Sequence, residues 1–287
     1  MVNMTFEEEI INIVDNNTIL SNDIDCLRGL SIYSLNVNSF NLSTYNASNL
    51  HNHYFVPKLN HILQQRCLIY LLQDVRLSDK HELFCNEVRV NLYGNYEIFT
   101  NSKNGSRGTA ILLSDRLNYK VFKTVKSSCE NILGLDIAIN NFRLSLLSVY
   151  GPRQAQNETF FPELKSKIVD MNNDTFLLGG DLNSVPNTIQ HHISPLVNNI
   201  DILQMESLPN IIHCRELSSW IANDFACDLF RINNPNKIDH SHNPIAENGN
   251  SFSRIDHFIS SPNLAEVFTH CEYLTQLGLC LIIKVYS

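Results

Sequence analysis

From Ser31 onward, apolar residues recur in short runs separated by polar turns. SIYSLNV, CLIYLLQ, NYEIFT, GTAILLS, YKVFKTV, ILGLDIAI and FRLSLLSVY read as strands, and turn chemistry such as SKNGSRG and INNF punctuates several of them. Two stretches change period. Over 52–66, Phe55, Val56, Leu59, Ile62 and Leu63 share one helical face, with Pro57 in the first turn. Over 157–171, Phe161, Leu164 and Ile168 do the same. The strand TFLLGG follows, and SRIDHFIS and CLIIKVYS are the last two. Between them, 187–250 is polar and irregular, with helical pieces near 198–206 and 214–222. Residues 1–28 are polar and Asn/Asp-rich and read as a loosely attached, poorly ordered arm; 29–287, with no repeat and no Gly/Ser/Pro linker, read as one domain. Many strands, few helices and mixed connections predict an α/β fold in which two sheets pack face to face under flanking helices.

Composition narrows the class. A 44% hydrophobic and 17% charged chain is globular, and a net charge of −8 argues against sequence-blind binding to a phosphate backbone over a broad surface. The eight cysteines contain no CxxC pair and several fall in apolar runs, which predicts reduced thiols. The acidic opening MVNMTFEEEI lacks a signal-peptide plan and no apolar run reaches the ~20 residues of a membrane span, so a nuclear or cytoplasmic location without membrane association is expected. The N-x-S/T triplets at Asn41 and Asn157 then read as chance matches.

The chemistry gathers at strand ends. Asn36 and Asn38 close SLNVNS, Asp74 ends YLLQD, Tyr150 precedes Gly-Pro, Asp181 and Asn183 follow Gly-Gly, and Asp256 opens DHFIS. Strand ends converging on one sheet edge are where α/β folds carry their sites. Singly, Asp74 reads as a turn acid, Tyr150 as a strand-to-turn aromatic, and the two N-terminal asparagines as turn formers. Asp181 and Asn183, at i and i+2, point to the same side of an extended segment.

In this order and spacing, LNVNS, LLQDVRLS, RGTAILLS, VYGPR, GGDLNSVPN, DLFRINNPNK and SRIDHFISSPN resemble the endonuclease/exonuclease/phosphatase superfamily over residues 31–286. The last two motifs look most like the endonuclease domains of LINE-type retrotransposons, relatives of the apurinic/apyrimidinic endonucleases. The resemblance implies a four-layer α/β sandwich and a monomeric, Mg²⁺-dependent enzyme that nicks DNA, with Mn²⁺ as an alternative ion. It gives Asn36 and Asp74 to the metal, Asp181 to the attacking water, Asn183 to the phosphate or water, and Tyr150 to the phosphate. Asp256 would partner a histidine. Asn38, Arg107, Arg153 and Arg254 would contact substrate, although a solvated-surface role serves Arg107 and Arg153 equally well.

Two departures stand out. Asp74 replaces the family's Glu, retracting the carboxylate by ~1.5 Å. The Ser-Asp-His that precedes the family's last strand is absent from QLGLCLIIKVYS, which leaves Asp256 without that partner. His257 should point to the opposite strand face, and His270 lies one strand away. An impaired nuclease is therefore expected. Two alternatives stay open: a non-catalytic binding remnant, consistent with a chain that carries no reverse-transcriptase region, and a phosphoesterase acting on small substrates, which suits the acidic charge. Zinc or serine hydrolysis finds no support, since His191 and His192 lack further ligands at telling spacing, the HNH at 51–53 is an isolated tripeptide, and no GxSxG occurs.

Overall fold

The computed structural model describes residues 26–37, 55–77, 81–103, 107–152, 157–184, 192–193, 215–223, 225–237, 245–246, 249–250, 252–274 and 280–285. Twelve of its strands form two six-stranded sheets. They are β1 (Ser31–Asn36), β2 (Ile69–Gln73), β3 (Tyr96–Asn101), β4 (Thr109–Ser114), β5 (Tyr119–Lys126), β6 (Ile132–Ile139), β7 (Phe142–Tyr150), β8 (Phe176–Asp181), β9 (Cys227–Asp228), β10 (Asp256–Ser260), β11 (His270–Leu274) and β12 (Cys280–Lys284). The described helices are α1 (Phe55–Leu63), α2 (His81–Val90), α3 (Asn157–Asp170), α4 (Arg215–Ala222), α5 (Leu229–Asn233) and α6 (Pro262–Ala265). The first sheet runs β11-β12-β1-β2-β4-β3 and the second β9-β10-β8-β7-β6-β5.

Both sheets are mixed, and each has one parallel pair near its middle. β1 pairs with β2 and β7 with β8 in parallel; the remaining ladders are antiparallel. Parallel neighbours need a crossover. α1 lies in the first crossover and α3 in the second, so the C-terminal ends of both parallel pairs are delivered to loops rather than hairpins.

Burial on both faces accounts for the near-continuous apolar runs of the central strands. Ile32, Ile69, Leu71 and Ile111 point into the space between the sheets, where they meet Leu135, Leu146, Leu177 and Phe258. The alternating Tyr33, Tyr70 and Leu72 point outward to Leu59, Ile62, Phe84 and Val88 of α1 and α2. On the far side Leu147, Val149 and Leu178 pack against Phe161, Leu164 and Ile168 of α3 and Trp220 of α4. Helix, sheet, sheet and helix are thus four layers with three apolar seams. Gly179 lies in the central seam, where a Cβ would stand 2.6 Å from Leu71 Cδ1 and from Phe258 Cε1. The first glycine of FLLGGD is required by packing.

Two sequence expectations shift. Leu27 and Leu30 are buried in the central seam, so the folded unit reaches back at least to Cys26 and the arm cannot extend to residue 28. α2 was not anticipated, although Phe84, Cys85 and Val88 lie on its buried face at helical spacing. The strands and the helices at 55–63, 157–170 and 215–222 fall where the pattern put them. The piece near 198–206, and the chain before Cys26, lie outside the described residues. Six described cysteines, Cys26, Cys67, Cys85, Cys129, Cys227 and Cys271, are free thiols.

Candidate active site

Asn36, Asp74, Tyr150 and Asp181 all stand at or just past the C-terminal ends of the four parallel strands. Sheet register does most of the positioning. Tyr150 on β7 and Asp256 on β10 are the direct cross-strand partners of Asp181 on β8, one on each side. Direct partners project to the same sheet face, so phenol, carboxylate and carboxylate form a row. The second sheet supplies that row, and the first sheet reaches into it: Asn36 Nδ2 donates to Asp181 Oδ2 at 2.6 Å. Beneath the site, Gln73 Nε2 donates across the seam to Ser148 Oγ at 3.1 Å, which ties the ends of the two parallel pairs together.

Asn183 meets Asp181 differently from the extended geometry expected. β8 ends at Asp181 and Asn183 turns into the left-handed region with φ 47, so its backbone N–H donates to Asp181 Oδ1 at 2.8 Å in an Asx-type turn. Its Nδ2 donates to the Gly151 carbonyl at 2.8 Å. Asp181 is therefore held through both oxygens, by the Asn36 side chain from the first sheet and by the Asn183 backbone just past β8, and is only 4% exposed.

Asp74 has a partner the sequence did not announce. Arg76 Nε donates to Asp74 Oδ1 and its Nη2 to Oδ2, each at 2.8 Å, a two-pronged ion pair on a carboxylate that is 1% exposed. Asp74 and Arg76 both adopt left-handed backbone, φ 56 and 49, which costs a non-glycine residue on the order of 1–3 kcal/mol. The conformation persists because Val75 N–H donates to the Gly108 carbonyl and Arg76 N–H to the Arg107 carbonyl, at 3.1 and 3.0 Å. Hydrogen bonding to Asp74 pushes the Arg76 guanidinium further up from its already high range, and the Tyr150 phenol adds to the same effect from nearby. Lys58 also lies in the field of Asp74, with Nζ donating to the Val37 carbonyl; burial pulls its ammonium below the usual range, and Asp74 opposes that pull.

This arrangement bears on the expected metal. A hard cation takes oxygen ligands; both Asp74 oxygens are engaged by Arg76, and with the Asn36 amide nitrogen turned to Asp181 it is Asn36 Oδ1 that a cation would take. Among the described residues no group of three or more His, Cys, Asp or Glu is gathered, while Mg²⁺ is commonly held by one or two carboxylates with waters. As arranged, a Mg²⁺ or Mn²⁺ ion at Asn36 and Asp74 would have to share the Asp74 carboxylate with Arg76.

Other expected residues are placed as follows. Arg254 is 0% exposed: it pairs with Asp228 through Nη2 and through Nη1 at 3.3 Å, and lies over the Phe230 ring at 5.2 Å. It cannot touch substrate from there, and the reading of it as a substrate contact is corrected; the buried acid Asp228 claims its charge. Burial pushes the Asp228 carboxyl up, but Arg254 and His257 outweigh it and hold the group well below the usual range. His257, fully buried, is in the same cluster, with Nδ1 3.9 Å from Asp228 Oδ2 and Nε2 3.0 Å from the Ser184 carbonyl, to which it donates. Burial and the Arg254 charge both depress its pKa. His270 pairs in register with Lys284, which faces Ser31 at the opposite end of the sheet from Asn36, and its Nε2 lies 2.9 Å from Glu272 Oε1. Neither histidine substitutes for the missing one. Arg107 is half-buried and its carbonyl supports Arg76. Asn38, Arg153, His191 and the 275–279 segment lie outside the described residues.

No family model matches the chain. Solved structures do. The AP endonuclease LMAP from Leishmania major aligns over 100% of both chains with a TM-score of 0.67 at 14% identity. The 3′-5′ exonuclease NExo from Neisseria meningitidis aligns over 90% of this chain and 100% of its own, with a TM-score of 0.63 at 17% identity. The endonuclease domain of TRAS1, a telomere-specific non-LTR retrotransposon, aligns over 89% and 98% with a TM-score of 0.56 at 11% identity. These likenesses show the fold: the chain has the four-layer α/β sandwich expected from its motifs, shared with these nucleases.

Proposed function

We propose that this domain hydrolyses phosphodiester bonds in DNA by nicking, at a rate lowered by the absent Ser-Asp-His. The observation that carries the proposal is the clamped Asp181, fixed through both oxygens by Asn36 and the Asn183 backbone and flanked in register by Tyr150 and Asp256. A carboxylate held this way accepts a hydrogen bond from a water in one orientation, as a general base must. Tyr150, on the neighbouring strand, donates its phenolic hydrogen to the phosphate. Asp256 completes the acidic row but lacks the histidine that the family places beside it. The structural neighbours are nucleases, which supports a phosphoester substrate.

Conversion of supercoiled plasmid to open circles, with Mg²⁺ and with EDTA, tests this. The wild-type protein should nick and Asp181→Asn should be slower by ~10²–10⁴. Equal rates for the two proteins would leave a binding remnant. A net charge of −8 favours the second reading, a small phosphate ester, and turnover of such esters with an intact plasmid would select it.

A further inference from the structure

We propose that Arg76 is the resident cation of this site: its guanidinium, anchored by Asp74, stands in for a divalent ion and binds the substrate phosphate directly. The inference rests on the phosphoester reading above.

The geometry is that of a carboxylate-backed arginine. Asp74 is 1% exposed while Arg76 is 37% exposed, so the pair is seated on its acidic side and open on its basic side. Nε and one hydrogen of Nη2 are spent on Asp74 and a further hydrogen bond joins the guanidinium to Tyr150, which leaves the remaining N–H groups, beside the phenol, as donors for a phosphate. The anchoring backbone is doubly left-handed and held by two bonds to 107–108, so the side chain is preorganised. Tyr150, the expected phosphate donor, faces the same guanidinium. The positive charge that a metal would bring to Asp74 is thus already present on Arg76. The shortened acid fits the same logic, since Asp74 carries the anion that seats Arg76, two residues along the chain.

The test uses the full chain without turnover. Affinity for deoxythymidine 3′,5′-bisphosphate in EDTA is measured by titration calorimetry, and Mn²⁺ affinity by the paramagnetic resonance signal of the free ion, for wild type, Arg76→Ala and Arg76→Lys. Charge-assisted hydrogen bonds are worth roughly 1.5–3 kcal/mol, about 10–100-fold. Arg76→Ala should lose bisphosphate affinity by that factor and, with Asp74 released, gain at least about tenfold in Mn²⁺ affinity. Arg76→Lys, which keeps the charge and so the fold, should lose about tenfold for bisphosphate, because an ammonium cannot bridge Asp74 and a phosphate with the same fork. Its Mn²⁺ affinity should stay at the wild-type level. If Arg76→Ala does not fold, Arg76→Lys decides alone. Unchanged bisphosphate affinity in EDTA, or Mn²⁺ binding by wild type as tight as by Arg76→Ala, overturns the inference. These shifts in a protein that nicks nothing would uphold Arg76 and sink the nuclease reading. Metal-dependent nicking by a wild type that binds Mn²⁺ as tightly as Arg76→Ala would do the reverse.

Discussion

Arg254 offers a direct contest between a substrate contact and a structural charge. Its side chain is fully buried against an Asp228 that is 6% exposed. Removing one member of a buried pair leaves the other charge uncompensated in a poorly solvating medium, at a cost of ~3–5 kcal/mol. Arg254→Met keeps much of the stem that packs over Phe230 while deleting the cation, so the expected loss is electrostatic rather than a cavity. Asp228→Asn is the complement: the amide oxygen can still accept from Arg231 N–H, as Oδ1 does at 3.2 Å, preserving the cap of α5 while removing the anion. Each single variant should lose about 3–5 kcal/mol, and the double variant should recover at least ~2 kcal/mol of their sum, because no buried charge is left. Urea unfolding followed through Trp220, the one tryptophan, buried at 4% exposure, reads all four proteins. An Arg254→Met protein within about 1 kcal/mol of wild type that had instead lost DNA affinity would refute the structural role and restore the substrate contact suggested by sequence.

His257 predicts an acid limb in stability. Its folded pKa lies below the usual value near 6.5, so between the two values the unfolded chain binds a proton that the native protein refuses. Stability should be undiminished above pH 6.5 and fall below it by up to ~1.4 kcal/mol per pH unit. His257→Gln should be less steep across the same window; identical pH profiles would remove the histidine from the account. At the active site, reinserting Ser-Asp-His after Leu279 should raise plasmid nicking by ~10²–10⁴ over the native chain if the lost acid–base group is the main defect. No gain would locate the defect elsewhere.

Where the sequence was legible, one physical quantity governed: burial on both faces. Ile69 and Leu71 face the other sheet while Tyr70 and Leu72 face helices, so β2 reads as a continuous apolar run, and the polar residue that ends such a run marks the sheet edge. That rule is enough to bring Asn36, Tyr150, Asp181 and Asp256 to one rim. It says nothing about which charge is already claimed. Asp228, at the end of β9, and Arg254, just before β10, are separated by 26 residues, and nothing in DLFRINNPNK or SRIDHFIS announces that they pair. Arg76 lies within LLQDVRLS, and its role is hidden for a different reason. Reaching back to Asp74 requires left-handed backbone at two residues that carry side chains, and nothing in the letters D-V-R signals it when the supporting bonds come from 107–108. A basic residue near a phosphate site is read by default as a hand held out to substrate. The partner of its charge decides otherwise: Arg254, enclosed with its acid, can only stabilise, whereas Arg76, seated on a buried acid with its outer edge exposed, is oriented to bind.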